Sequence, residues 1–249
     1  MNDKILLVTG GSRGIGAATA RAAARAGYKV AINYVNDAKA ADTLAKEIQK
    51  AGGTAVPIKA DVAREDEILR LFETADRELG RLTHLVNNAG IVSRAGRFAD
   101  VDAETIRKVV DVNVTGAMLV AREAVRRMST ARGGKGGAIV NLSSVAATLG
   151  APGEFIWYAA SKGAIDTFTV GLSREVAREG IRVNAVAPGL IDTEIHAAGG
   201  QPDRIARMAP TIPLGRAGTA EETAAAILWL LSEEASYVTG TIVRVSGGR

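Results

Sequence analysis

The stretch LLVTGGSRGIGAATA, residues 6–20, decides the fold. It begins as an apolar strand, turns at a run of glycines and continues as an alanine-rich helix. Gly10 permits a tight exit from the strand, Gly14 lets a ligand approach the backbone, and Gly16 brings the helix close to the sheet. The G-x-G-x-x-G pattern does not fit, because the usable glycines Gly10, Gly14 and Gly16 are spaced G-x-x-x-G-x-G. The P-loop pattern does not fit either, because Ala17 stands where a P-loop requires Lys. The helix start still offers free N–H groups, so the stretch predicts a phosphate-binding turn, with a purely structural turn as the alternative.

The rest of the chain repeats this alternation of strand and helix. Short apolar runs predict seven strands, at 4–9, 29–34, 54–59, 82–87, 137–142, 181–186 and 240–245. Helical patterns follow at 15–26, 37–51, 64–79, 103–130, 157–179 and 219–231. Such alternation forms βαβ units with right-handed crossovers. We therefore expect an α/β protein, a single Rossmann-fold domain over residues 1–249 with a doubly wound, parallel, seven-stranded sheet in a three-layer αβα sandwich.

Composition agrees with one large domain and excludes several classes of site. Hydrophobic residues make up 47% and aromatic residues 4%, which suits β-branched parallel strands covered by alanine-rich helices. The chain has no cysteine, so disulfide scaffolds and thiol nucleophiles are excluded. His84 and His196 form no ligand set, and no metal site is predicted. No stretch resembles a signal peptide or a membrane span, so we expect a soluble, cytoplasmic protein without a membrane partner.

The charge pattern gives little support to nucleic-acid binding. The formal net charge is +4, but the basic residues are scattered among 27 acidic ones. The densest basic cluster lacks interleaved aromatic residues that could stack on bases. Its members are Arg122, Arg126, Arg127, Arg132 and Lys135. A solvated helix end or a subunit contact is the expected role.

Two irregular regions interrupt the alternation of strands and helices. The glycine-rich stretch 132–137 is expected to be a flexible connection. The region from Pro188 to about Gly218 is unusually long for a connection between a strand and a helix. Long loops at sheet ends are commonly lids or binding loops, so we predict a substrate lid at about 188–218.

The stretch WYAASKGA, residues 157–164, places Tyr158 four residues before Lys162. If the segment is helical, the phenol and the ammonium share one face. The pair is then either an acid/base pair or a core aromatic beside a solvated lysine, and these eight residues do not decide between them. Trp157 and Phe155 are equally open between core and pocket.

Taken in order, these motifs resemble the short-chain dehydrogenase/reductase family. TGGSRGIG at 9–16 resembles the family's TGxxxGIG cofactor signature. The similarity continues through Asp61-Val62, Asn87-Asn88-Ala89-Gly90, Asn113, NLSS ending at Ser144, YAASK at 158–162, Pro188-Gly189 and Thr193, to the closing VTGTIVRVSGG. In style the chain is most similar to glucose (sugar) dehydrogenases and 3-oxoacyl-carrier-protein reductases.

The resemblance implies a catalytic set of Asn113, Ser144, Tyr158 and Lys162. Tyr158 would act as general acid/base, and Lys162 would stabilise its phenolate and hold the nicotinamide ribose. Ser144, the second serine of its pair, would hydrogen-bond the substrate oxygen, and Asn113 would hold a water that relays protons. Ser144 and Tyr158 are fourteen residues apart, one more than in many relatives, so an insertion at the substrate mouth is expected within 152–157.

The resemblance also implies a nicotinamide cofactor, with NADP(H) preferred. Tyr34 stands where NAD-preferring members carry an acid, and Arg13 resembles the base that holds the 2′-phosphate of NADP. Val35 replaces a second Arg of many NADP enzymes, and Asp37 lies near the spacing of a ribose-binding acid, so use of NAD(H) stays open. The implied cofactor residues are Gly10, Ser12, Arg13, Gly14, Ile15, Gly16, Asn33, Tyr34, Asp61, Val62, Asn88, Ala89, Gly90, Tyr158, Lys162, Pro188, Gly189, Ile191 and Thr193.

The function implied is an NADP(H)-dependent oxidoreductase that interconverts a small-molecule secondary alcohol, a sugar among the candidates, and its carbonyl. Family relatives are commonly tetramers, so a homotetramer is expected. One alternative is a 3-oxoacyl-carrier-protein reductase, which Arg126 and Arg127 favour and Glu179 opposes. The other is a non-catalytic NADP-binding sensor, a class that usually breaks the Ser, Tyr, Lys set that this chain retains.

Overall fold

A parallel sheet of seven strands forms the middle layer of the computed structural model, which describes residues 4–249. The strands are β1 Ile5–Val8, β2 Lys29–Tyr34, β3 Thr54–Lys59, β4 His84–Asn87, β5 Gly137–Leu142, β6 Ile181–Pro188 and β7 Ile242–Val245. Their order is β3-β2-β1-β4-β5-β6-β7, and every pairing is parallel. Central strands such as β1 and β4 are buried along their whole length, as expected of continuous apolar runs covered on both faces. The predicted class and strand count are confirmed.

Helices cover both faces of the sheet. They are α1 Gly14–Arg25, α2 Ala38–Lys50, α3 Glu65–Leu79, α4 Ala103–Val110, α5 Ala117–Met128, α6 Ala146–Leu149, α7 Ile156–Val176, α8 Ile195–Ala198, α9 Arg204–Met208 and α10 Ala220–Leu231. One core cluster joins the sheet to α3, α5 and α7, with Phe72 and Met128 fully buried. The other joins it to α1, α2 and α10, with Leu44 and Leu230 buried. These two apolar layers make the three-layer αβα sandwich.

The single helix predicted over 103–130 is wrong in its middle. A π-helical segment, Asp111–Gly116, separates α4 from α5. Gly116 packs so closely on β3's exit loop that a Cβ there would collide with the carbonyl oxygen of Val62. Residues 113–116, Asn-Val-Thr-Gly, are poor helix material, which favours a kink, and the wider π turn accommodates the contact with Val62.

The stretch 132–137 connects a helix to a strand as predicted, and backbone hydrogen bonds and close packing anchor it. Gly136 N donates to Met128 O at 2.7 Å, and Gly137 N donates to Gly180 O at 2.9 Å. A Cβ on Gly137 would collide with the carbonyl oxygen of Thr83. The glycines are therefore required by tight packing between backbone segments.

The region 188–218 contains α8, α9 and a short 3₁₀ turn at Ala209–Thr211. The strand predicted at 181–186 continues as β6 to Pro188, where this region begins. Within residues 4–249, no helix has the length and apolar character needed to span a bilayer.

The strand order reverses at β1: β2 and β3 lie on one side of β1, and β4 to β7 lie on its other side, with β4 directly beside β1. In open α/β sheets, ligands bind in the crevice at such a switch point, outside the carboxyl ends of the strands. Gly10 follows β1 and Asn88 follows β4, so both lie at this crevice.

Candidate active site

The glycine turn after β1 forms a backbone cradle at the crevice. Gly10 and Gly14 have φ angles of +58° and +50°, in the left-handed region that favours glycine. A Cβ on Gly16 would collide with the carbonyl oxygen of Gly10. Arg13 caps α1 without a side-chain hydrogen bond, and the first turn of α1 has no acidic residue. The N–H groups of that turn are thus open to an anion, which fits the pyrophosphate of a dinucleotide.

Two asparagines hold the cradle in shape from inside the fold. Asn33 is 1% exposed; its Oδ1 accepts from Gly10 N at 3.2 Å and its Nδ2 donates to Ala60 O at 2.8 Å. Asn88 Nδ2 donates to Thr9 O at 2.8 Å and to Gly10 O at 3.0 Å. Since these amides are occupied by backbone groups, Asn33 and Asn88 support the cofactor turn from behind.

The other predicted cofactor residues border the same edge of the sheet. Thr193 reaches Gly14, because a Cβ there would lie 3.2 Å from Thr193 Cγ2. Ala89 faces Gly10, whose Cβ would lie 3.0 Å from Ala89 Cα. The rest belong to the glycine turn or lie at or after the carboxyl ends of β2, β3, β4 and β6: Ser12, Ile15, Tyr34, Asp61, Val62, Gly90, Pro188, Gly189 and Ile191.

Charges near the end of β2 bear on cofactor choice. Arg13 is exposed at the start of α1 and, within residues 4–249, forms no ion pair. Tyr34 ends β2 without a carboxylate. The side chain of Asp37 accepts from Ala40 N at 2.9 Å and caps α2. The carboxylate nearest in sequence to the end of β2 is therefore engaged at a helix start.

Tyr158 and Lys162 share one face of α7, as their spacing predicted. Lys162 Nζ lies 5.6 Å from the centroid of the Tyr158 ring. Lys162 is buried, and its ammonium donates to Leu142 O at 2.6 Å. The side chain of Ser144 acts on the Tyr158 phenol and lowers its pKa, against the larger opposite effect of burial. The structure thus brings three of the four predicted catalytic side chains together at the end of β5.

Burial shifts the pKa of both groups of this pair. It lowers the pKa of Lys162 to about 8, although the charge of Asp166 acts in the opposite direction. Burial raises the pKa of the Tyr158 phenol above its ordinary value of 10, and the hydrogen bond with Ser144 only partly offsets this. The expected stabilisation of the phenolate involves both the Lys162 ammonium and a cationic nicotinamide, and it stays a prediction. In the protein alone burial dominates, so Tyr158 carries its proton at neutral pH.

The structure distinguishes the two adjacent serines. Ser143 is buried, and its Oγ donates to Lys162 O at 3.4 Å. Ser144 is partly exposed; its Oγ accepts from Ala146 N at 3.1 Å, and its side chain lowers the pKa of the Tyr158 phenol. Ser144 is thus the serine that borders the site.

Asn113 lies in the π-helical segment and is 1% exposed. Its Oδ1 accepts from Ile91 N at 2.8 Å, while its Nδ2 donates to Ile91 O at 2.9 Å and to Ser161 Oγ at 3.1 Å. A Cβ on Gly90 would lie 3.4 Å from Asn113 Oδ1 and 3.5 Å from Lys162 Nζ. Asn113 therefore ties the loop after β4 to α7, and the π turn lies beside the candidate site, in keeping with the common occurrence of such turns at functional sites.

Beside the predicted substrate mouth, Trp157 and Phe155, which the sequence left open between core and pocket, are buried, and contacts that the sequence did not reveal surround them. Trp157 is buried, and its Nε1 donates to Ser93 Oγ at 2.6 Å. Arg204 forms a two-point ion pair with Glu154, both N–O distances being 2.8 Å. Phe155 is also buried, beneath the Arg204 guanidinium. These partners lie 50 or more residues apart in the chain, so no local sequence signal could have paired them.

The basic cluster on α5 is largely paired with carboxylates. Glu123 is buried and accepts from Arg126 at 2.7 Å and from Arg127 at 2.9 Å. Arg127 also pairs with Asp76 at 2.7 Å, and Arg122 contacts Glu65. Because these guanidinium groups are already paired with carboxylates, less positive charge is available to bind an acidic carrier protein. Within the described part of the chain, no group of three or more His, Cys, Asp or Glu side chains could hold a metal ion.

Comparison with known proteins gives matches along nearly the whole chain. A family model described as enoyl-(acyl carrier protein) reductase matches residues 10–249. The uncharacterized oxidoreductase YgfF of Escherichia coli K12 is 53% identical over 98% of this chain and 99% of that protein. Glucose 1-dehydrogenase 2 of Bacillus subtilis 168 is 38% identical over 100% of this chain and 95% of that protein.

A solved structure gives the same answer for the fold. A short-chain type dehydrogenase/reductase from Mycobacterium marinum superposes with a TM-score of 0.92 and 37% identity, covering 98% of this chain and 94% of that one. The similarities extend from the glycine turn through the Tyr158–Lys162 helix to the last strand. The chain belongs to the short-chain dehydrogenase/reductase family and is an oxidoreductase that acts on a CH–OH group or the corresponding carbonyl.

Proposed function

We propose that this protein is an NADP(H)-dependent oxidoreductase that interconverts a secondary alcohol and its carbonyl, with Tyr158 as general acid/base. The observation that carries the proposal is the position of Tyr158 and Lys162 on one face of α7, with Lys162 Nζ 5.6 Å from the centroid of the phenol ring. The nicotinamide, when bound, supplies or accepts the hydride. The side chains of the protein then donate or accept the proton that accompanies the hydride.

In the reducing direction Tyr158 gives its proton to the carbonyl oxygen, and Ser144 donates a hydrogen bond to the same oxygen. The raised pKa of Tyr158 supports the acid role, because the phenol carries its proton at neutral pH. Lys162 lies behind Tyr158, where its positive charge stabilises the phenolate left by proton transfer. Asn113, bound to the loop after β4, holds the position from which a water would return the proton by way of Lys162.

The preference for NADP(H) is supported by charge at the end of β2. A carboxylate there would repel a 2′-phosphate, and Tyr34 supplies none. Arg13 offers a planar guanidinium of the kind that binds phosphate with two hydrogen bonds. Because Asp37 caps α2, it competes less for the ribose hydroxyls, which favours NADP(H) further.

For the substrate we propose a small alcohol or carbonyl compound, with sugars as the first class to test, because the relative from B. subtilis is named a glucose 1-dehydrogenase. The acyl-carrier alternative is weakened by the pairing of Arg126 and Arg127 with Glu123. A cytoplasmic homotetramer stays a prediction. Large exposed side chains such as Leu214 and Trp229 are candidates for burial between subunits.

The direct test is a cofactor-oxidation screen with ketones, sugars and acyl thioesters, followed by Tyr158→Phe on the best substrate. We expect kcat to fall by about 10²- to 10⁴-fold, the usual contribution of a positioned acid or base. The Kd for NADPH should change by less than about two-fold, because the hydroxyl acts in the chemical step.

Tyr237→Phe is the matched control, since that side chain is fully exposed and outside the site. Its kcat should equal that of the wild type. If Tyr158→Phe keeps most of its rate, the proposed mechanism is wrong. Binding of NADPH without turnover of any compound in the screen would support the sensor alternative.

A further inference from the structure

Three chain segments that are distant in sequence meet at the substrate mouth. They are the loop 91–97, the loop 151–157 before and into α7, and the segment 195–208 that contains α8 and α9. Ala95 N donates to Gly199 O at 3.4 Å, and Gly96 N donates to Glu154 O at 2.9 Å. These backbone contacts connect the loop 91–97 both to the loop 151–157 and to the segment 195–208.

The strongest contact among these segments is the Glu154–Arg204 ion pair. Each guanidinium nitrogen of its fork donates to one oxygen of the Glu154 carboxylate at 2.8 Å. The two side chains are only 27% and 12% exposed. The Arg204 guanidinium also lies 5.4 Å from the centroid of the Phe155 ring and donates to Gln201 Oε1. Arg204 holds the pKa of Glu154 below its ordinary value, so the pair is charged at neutral pH.

Such a pair constrains the backbone more than an exposed ion pair does. A two-point guanidinium–carboxylate contact fixes orientation as well as distance. Because the pair is mostly buried, loss of one partner leaves the other charge poorly solvated, whereas exposed pairs contribute little.

The pair lies between the lid and the catalytic helix. Glu154 precedes α7 by two residues, and Tyr158 lies in the first turn of α7. Arg204 is the first residue of α9. Helices as short as α8 and α9 do not persist on their own in water, so tertiary contacts must hold them in place.

We propose that Glu154 and Arg204 are a positioning pair, whose ion pair holds α8 and α9 against the start of α7 and thereby fixes the substrate mouth beside Tyr158. Its kinetic consequence rests on the proposed function, but its structural consequence does not. Neither residue touches the reacting atoms; both act through the position of the lid.

The structural test is hydrogen exchange through a double-mutant cycle of Glu154→Gln, Arg204→Gln and the double variant. The reporters are the amides of Ala198 and Gly199, which donate to Glu194 O and Ile195 O within the lid and lie apart from both substitutions. We expect each single variant to speed exchange by about ten-fold. The double variant should also speed exchange by about ten-fold, because each of the three variants removes the same single ion pair.

Arg21→Gln is the matched control, since Arg21 forms a similar fork with Glu47 between α1 and α2, away from the mouth. It should leave exchange of the lid amides unchanged. Unchanged exchange in the single variants, or effects that multiply to about one hundred-fold in the double variant, would overturn the proposal.

The kinetic test uses the same variants with the substrate found by screening. We expect KM for the carbonyl compound to rise by about ten-fold in each variant, while Kd for NADPH changes by less than about two-fold. Arg204→Lys keeps the charge and should recover part of the loss. An unchanged KM would contradict the role at the mouth. Since exchange needs no turnover, a failure of the proposed activity would leave the structural result readable.

Discussion

At the scale of single residues, the site depends on how burial changes ordinary side chains. The spacing of Tyr158 and Lys162 predicted that they share a helix face, and the structure agrees. The sequence could not predict the partner of Lys162, because Leu142 O comes from a strand twenty residues away. Nor could it predict that burial would raise the pKa of the Tyr158 phenol. The sequence pattern therefore predicts which side chains form the candidate acid/base pair, whereas the three-dimensional environment sets the protonation states of those side chains.

Arg13 carries the first residue-scale prediction. If its guanidinium binds the 2′-phosphate, Arg13→Gln removes a charge-assisted contact worth about 1.5–3 kcal/mol. The ratio of kcat/KM with NADPH to kcat/KM with NADH should then fall by about ten- to one hundred-fold. Steady-state rates with both cofactors at one substrate concentration series measure this ratio.

The control is Arg21→Gln, on the same helix and paired with Glu47. Its cofactor ratio should match that of the wild type. An unchanged ratio in Arg13→Gln would remove Arg13 from cofactor recognition and would leave Asp37 and the ribose hydroxyls as the basis of a preference for NAD(H).

At the scale of elements, regular periodicity was a good guide and tertiary packing explains the exceptions. Helices with a clear amphipathic pattern, such as α2 and α3, lie where the sequence predicted them. The helix predicted over 103–130 fails at Asp111–Gly116, where a π turn forms and Gly116 packs closely on Val62. Within 188–218, α8 and α9 are too short to carry periodicity, so tertiary contacts such as the Glu154–Arg204 pair hold them in place.

The π turn gives an element-scale prediction. Gly116 has an ordinary helical φ of −60°, so alanine is disfavoured there by its collision with Val62 O and not by backbone strain. We expect Gly116→Ala to lower the free energy of unfolding by about 1–3 kcal/mol, as overpacking does. Displacement of Asn113 should lower kcat as well. Urea unfolding and steady-state rates measure the two effects.

Gly171→Ala is the matched control in α7, because nothing lies within 4 Å of its Cβ position. It should raise the free energy of unfolding by up to about 1 kcal/mol, since alanine favours helix. If Gly116→Ala is as harmless as Gly171→Ala, the π turn is not held by contact with Val62.

At the scale of the whole molecule, the carboxyl ends and the amino ends of the parallel strands carry different kinds of polar side chains. The carboxyl edge holds the candidate active site, and the opposite edge holds a buried histidine that contributes to stability. His84 begins β4, its Nδ1 lies 2.8 Å from Thr83 Oγ1, and its ring packs edge-to-face on Tyr28 at 5.0 Å. Burial lowers the pKa of His84 to about 4, and the positive charges of Lys4 and Arg182 act in the same direction.

This depressed pKa predicts a loss of stability in acid. The neutral imidazole is favoured in the folded state, so its contribution is fully present above the unfolded pKa of 6.5 and is lost as the pH falls toward 4. The difference of 2.5 pH units corresponds to about 3 kcal/mol. His84→Gln does not titrate, so between pH 7 and pH 4 it should lose about 3 kcal/mol less unfolding free energy than the wild type. Urea unfolding followed by tryptophan fluorescence measures both losses. The carboxylates titrate alike in the two proteins, and equal losses would therefore show that His84 charges without cost in the folded state.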